Sequence, residues 1–151
     1  MLNYTKVIFV SKSDTGRGPL AAAIMKLQLG SEDADISSRG LVVLFPEPMN
    51  PKMVAVASSK GIDLSNRSSV ELTEDDFGPK VLVLTMDEQH KKTIYEDFSN
   101  AVNVYTIKEF VGDDGNVEDP YGGELYDYGS MYESIYSLTE QVIQKLQDPN
   151  N

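Results

Sequence analysis

Residues 11–18, Ser-Lys-Ser-Asp-Thr-Gly-Arg-Gly, carry the groups in this chain best suited to gripping an anion. An apolar run precedes them and a helical stretch follows. Backbone N–H groups converge where a helix starts and bear a partial positive charge, which suits phosphate or sulfate. Arg17 adds a planar fork that can hold two oxyanion oxygens. Gly16 and Gly18 leave room for close backbone approach. The segment is not a Walker A loop, because no Gly-Lys-Ser/Thr follows, and it lacks the GxGxxG spacing of dinucleotide sites. The candidate oxyanion contacts are therefore Lys12, Ser13, Asp14, Thr15, Gly16, Arg17 and Gly18. By residue type alone the segment reads equally as an ordinary strand-to-helix turn with a surface arginine.

The elements that must position this loop follow from periodicity. Residues 6–10, KVIFV, are mostly apolar and β-branched, as in a central strand of a parallel sheet. Pro19 sits near the first turn of the next element, where a missing N–H costs nothing. Leu20 to Leu29 reads as a helix with Gly30 as its C-terminal cap. Residues 34–40 and 81–85 read as further strands, and 102–107 as another. Residues 52–60 and 86–98 read as helices, with the proline-bearing segment 44–51 as a loop between elements. Residues 111–123 are polar and irregular. Tyr128, Tyr132, Ile135, Thr139, Val142 and Leu146 step by three and four, which predicts an amphipathic C-terminal helix. Strands alternating with helices imply an α/β fold, a parallel sheet covered on both faces with right-handed crossovers. Ligands of such sheets bind beyond the carboxyl ends of the strands, where the loop at 11–18 falls.

Composition narrows the function. The 151 residues are expected to form one domain, 1–151, with enough core to fold alone. The absence of cysteine excludes disulfides, thiolate chemistry and cysteine-ligated metals; no cofactor and no metal are expected. A net charge of −11 argues against nucleic acid and anionic membranes as partners. Any anion site must then work locally. The apolar runs near 7–10 and 81–84 are too short to span a bilayer. The opening MLNYTKVIFV lacks a long apolar h-region and a small-residue cleavage site, so the cytoplasm is the expected compartment.

On these residues the chain resembles the low-molecular-weight protein tyrosine phosphatases. That family places a nucleophilic cysteine, five residues and an arginine between the first strand and the first helix; here Ser11 and Arg17 stand at those places. The likeness continues through SSRG (37–40), PMNP (48–51), KGIDLSNRSS (60–69), VLVLTMDEQH (81–90) and DPYGG (119–123). It implies a three-layer sandwich around a four-stranded parallel twisted sheet. It also implies a mechanism in which a thiolate attacks phosphorus, the arginine and loop amides hold the oxygens, and an aspartic acid protonates the leaving group. Asp119, followed by Pro120, holds the acid position. Tyr121 and Phe45 are the expected walls of the substrate pocket.

The departures bear on activity. A thiol has a free pKa of about 8.5, and a positive loop lowers it further. A serine hydroxyl is far less acidic and ordinarily needs a base beside it. Asp14 stands where the family has an asparagine that braces the loop; its charge is expected to oppose a bound phosphate and to pair with Arg17. Gly18 stands where a serine hydroxyl supports the thiolate. The one histidine, His90, reads as a solvated helix residue, and the acidic run 71–76 as a solvated helix start.

The expected protein is a catalytically impaired pseudophosphatase that retains an oxyanion- or phosphotyrosine-binding loop, with a phosphoprotein or a phosphate or sulfate anion as partner. One alternative is an active aryl-phosphate hydrolase that uses Ser11 or water. Another is an interaction module whose loop is closed by an Asp14–Arg17 pair.

Overall fold

The computed structural model describes residues 4–31 and 34–148. Four short β-branched runs pair into one parallel sheet: β1 (Lys6–Ser11), β2 (Ile36–Gly40), β3 (Val81–Thr85) and β4 (Val104–Thr106), in the order β2-β1-β3-β4. Val7 of β1 sits beside Ile36 on one side and Leu82 on the other. Because side chains alternate along a strand, Val7 and Phe9 enter one core layer and Ile8 and Val10 the other. The first layer is closed by α1 (Arg17–Leu29) and α5 (Leu125–Gln147), with α2 (Pro51–Ser59) packed on α5. The second holds Leu72, Val83, Ile94 of α3 (Glu88–Asp97) and Val104, with Phe77 against Phe98. A short α4 (Ile107–Phe110) follows β4. The three-layer sandwich is thus as expected.

Element ends differ from the sequence expectation where capping decides them. α1 begins at Arg17 and not at Leu20, and Gly30 closes it in the left-handed conformation. α3 begins only after Asp87, whose carboxylate accepts the Gln89 N–H. α5 starts a turn early, because Glu124 and Asp127 cap each other's backbone. The fourth strand is three residues, since Thr106 and Glu109 form a capping box that turns the chain into α4. The acidic run makes only a single 3-10 turn, Glu74–Asp76.

In this strand order the chain leaves β1 toward β2 and returns on the far side at β3. The carboxyl ends of β1 and β3 therefore flank a crevice. The first turn of α1 opens there, and no side chain caps it. Among the described residues no helix is long and apolar enough to cross a membrane.

Candidate functional site

β1 delivers Ser11 to the mouth of the crevice. Ser11 is buried, and among the described residues its Oγ has no hydrogen-bond partner. Five residues later α1 starts with Arg17, also buried. Its Nη1 donates to the Val117 carbonyl at 2.9 Å, and its Nη2 lies 3.8 Å from Asp119 Oδ2. Val117 is in turn anchored to the end of β3, donating its N–H to the Met86 carbonyl. One guanidinium thus ties the loop after β1 to the loop that bears Asp119. Asp119 is half-exposed and accepts the Tyr121 N–H at 3.0 Å, a turn that points the carboxylate back toward the cavity.

A cavity of about 540 Å³ lies between these two loops. Ser11, Lys12, Ser13, Thr15, Gly16 and Arg17 form its floor, and Asp119, Tyr121 and Tyr128 its far wall. The structure therefore brings together most of the expected site. Phe45 is a correction: it is 63% exposed and does not line the cavity. The wall on that side is Glu47–Pro51, because Pro48 bridges to Ser68 and Asn50 pulls the segment inward.

Asn50 was not singled out by the sequence, yet it joins three pieces of the site. Its N–H donates to the Thr15 carbonyl at 2.8 Å, and its Oδ1 caps α2 by accepting the Lys52 and Met53 N–H groups. Its Nδ2 donates to the Tyr128 hydroxyl at 3.1 Å. The only sequence signal was an asparagine directly before Pro51, the usual place of a cap ahead of proline at the first helical position.

Asp14 overturns its expectation. It adopts a left-handed backbone, φ 58°, and its side chain turns away from the cavity into the protein. There it accepts from the Ser38 hydroxyl at 2.5 Å, the Val70 N–H at 2.9 Å and Arg67 Nη2 at 3.2 Å. Arg67 also bonds the Ser38 hydroxyl. Asp14 therefore pairs with Arg67 and not with Arg17, and the loop is not closed by an Asp14–Arg17 pair. Burial pushes the Asp14 carboxyl above its ordinary range, against the pull of Ser38, Val70, Arg67 and Arg39. Close approach of β2 makes this possible, since a Cβ on Gly40 would sit 2.9 Å from the Ser13 carbonyl carbon.

Gly18 does not border the cavity either. A Cβ there would lie 2.9 Å from Ser11 Oγ, so the glycine leaves the hydroxyl facing bare backbone. His90 is a further correction: it is buried and not solvated, and among the described residues its Nδ1 has no hydrogen-bond partner. Burial, then the positive field of Arg17, holds its imidazole below the ordinary value. His90 thus faces the interior, within electrostatic reach of Arg17 and Lys12.

A family model, "Low molecular weight phosphotyrosine protein phosphatase", matches residues 6–151. The low molecular weight protein-tyrosine-phosphatase PtpB of Staphylococcus epidermidis is 31% identical over 91% of this chain and 96% of its own. The crystal structure of the low molecular weight protein tyrosine phosphatase from T. tengcongensis superposes with a TM-score of 0.86 at 34% identity, covering 93% of this chain and 99% of that one. A structure of the YwlE arginine phosphatase, in a cysteine-to-serine mutant with a phosphorylated active site serine, superposes with a TM-score of 0.83 at 31% identity, covering 95% and 97%.

Proposed function

The chain belongs to the low molecular weight phosphotyrosine protein phosphatase family, and on that premise we propose that it is a pseudophosphatase that binds phosphoryl groups of phosphoproteins without sustained turnover. The observation that carries this reading is the pairing of an intact grip with an altered nucleophile. Arg17 is buried and oriented by Val117, so its fork reaches the cavity at little entropic cost. The uncapped first turn of α1 adds N–H donors with the helix dipole behind them. Ser11 stands where the thiolate would attack, and no group among the described residues hydrogen-bonds it as a base would.

Relatives divide between tyrosine and arginine phosphatases, so the bound group is the phosphoryl of one of these two side chains. The open cavity favours this reading over a closed interaction module, because Asp14 is spent on Arg67.

Calorimetric titration with orthovanadate, together with para-nitrophenyl phosphate turnover, tests the proposal. Vanadate should bind the parent, bind Arg17→Met far more weakly, and meet no steady-state hydrolysis. Multiple turnovers that vanish in Ser11→Ala and in Asp119→Asn would instead make the protein a serine-based hydrolase. No vanadate binding at millimolar concentration would remove the binding reading altogether.

A further inference from the structure

We propose that a second cavity, between α1, the edge of β2 and residues 64–70, is a separate oxyanion site that takes a phosphoryl group through Lys26, Arg39 and Arg67. It does not share Arg17 and stands independently of the first cavity.

The chain has 24 acidic and 13 basic side chains, yet three cations line this one cavity of about 380 Å³. It lies behind the anion loop, where the inward-turned Asp14 meets Arg67. β2 is the outer strand of the sheet, and two guanidinium groups converge on it. Arg39 Nη1 donates to the Ser38 carbonyl at 2.8 Å, and Arg67 Nη2 reaches the same oxygen at 3.4 Å. Asp76 lies 3.4 Å from Arg39 Nε, and Asp14 lies 3.2 Å from Arg67 Nη2. Both forks are therefore fixed in place but only partly used. Among the described residues, Arg39 Nη2, Arg67 Nη1 and the Lys26 ammonium have no hydrogen-bond or ion-pair partner.

Two further donors are orphaned. Ser37 Oγ and Arg67 Nε are buried and have no hydrogen-bond partner among the described residues. Leaving a buried donor unpaired is costly, and an anion is the group that pairs several at once. Ser37 lines the cavity, so a change of χ1 rotamer presents its hydroxyl to a ligand.

The donor set fits a phosphoryl group better than a carboxylate. Guanidinium forks match the oxygens of phosphate, and the Lys26 ammonium adds a point charge for a second negative charge. Asp14 and Asp76 already supply the carboxylates that these arginines can use. Ala22, Ile36 and Leu64 complete the wall with apolar surface, which suits a small organic body beside the phosphoryl group. The ligand is thus free phosphate or a small phosphate monoester.

The test uses the full chain carrying Arg17→Met, which silences the first cavity. Isotope-labelled protein is titrated at fixed ionic strength with inorganic phosphate and, separately, with glycerol 3-phosphate, and followed by amide chemical shifts. Shifts should saturate at Ala22, Lys26, Ser37, Arg39 and residues 64–70, with a Kd of about 1 mM or lower. Lys26→Gln and Ser37→Ala should each weaken binding roughly ten-fold, the scale of one charge-assisted hydrogen bond. Ser37→Ala removes an orphaned hydroxyl, so without anion it should be at least as stable as its parent, which a structural role for the hydroxyl would not allow. Saturation by either anion upholds the site, and the tighter of the two identifies its source.

Equal shifts from sodium chloride, shifts confined to residues 11–18, or unweakened binding in both Lys26→Gln and Ser37→Ala would each overturn the proposal. Saturation here in a protein whose parent binds no vanadate would uphold this site and remove only the reading of the first cavity.

Discussion

Arg67 Nη2 stands 3.2 Å from Asp14 Oδ2, with the Asp14 side chain wholly buried and Arg67 about a quarter exposed (26%). The pair couples the anion loop to a distant stretch of chain, and it neutralises the loop's carboxylate on the side away from the cavity. The loop can carry an acid without spoiling its pull on anions.

Arg67→Met should therefore destabilise the fold more than loss of a surface ion pair. Removing one partner of a fully buried pair costs about 3–5 kcal/mol, and partial exposure of Arg67 reduces this to about 2 kcal/mol. Asp14→Asn/Arg67→Met should cost less than the two single changes added together. The stranded carboxyl, already pushed up by burial, protonates more readily still. The deficit of Arg67→Met against the parent should thus be full at neutral pH and shrink as pH falls through the Asp14 pKa. Urea unfolding at several pH values reads all three; additive single effects would count against the pair.

His90 sets an acid-side dependence of opposite origin. Its folded pKa lies below the ordinary 6.5, so the unfolded chain takes up a proton first as pH falls. The stability of the neutral, buried imidazole is present above 6.5 and is lost as pH drops through the folded value. His90→Phe should flatten the stability curve over that interval. Parallel curves for the parent and the variant would place the acid sensitivity elsewhere.

Arg17→Lys keeps the charge and loses the fork. Replacing two charge-assisted bonds by one should weaken orthovanadate binding by about 1.5–3 kcal/mol, roughly ten- to a hundred-fold. It also removes the anchor to the Val117 carbonyl, so the Asp119 loop should gain amide exchange in the same variant. Undiminished affinity measured by calorimetry would show that the loop N–H groups alone hold the anion.

Asn50→Ala deletes a helix cap and the bond to Tyr128 together. A cap is worth about 0.5–2 kcal/mol and a neutral hydrogen bond about 1 kcal/mol. The expected loss is about 1–3 kcal/mol by chemical denaturation. Asn50→Asp, which retains the capping oxygen, should recover most of the cap's share; equal losses in both variants would assign the effect to Tyr128.

Much of the architecture is local and was therefore legible in the chain. Strand and helix periods are written in consecutive side chains, and Gly30 and Pro51 end or start helices by backbone geometry alone. The Ser11-to-Arg17 spacing and the Asp119-Pro120 pair likewise mark the two loops that meet at the cavity. What only the folded structure decided is how side chains far apart in sequence share their charges. Asp14 lies three residues from Arg17 but answers to Arg67, fifty-three residues on, because a left-handed φ turns it inward. His90 reads as polar helix surface until the fold buries it within the field of Arg17, and Phe45 reads as a wall until the fold leaves it exposed and lines the cavity with Glu47–Pro51 instead. Burial and ion pairing depend on three-dimensional distance, and a single sequence encodes that distance only through the whole fold.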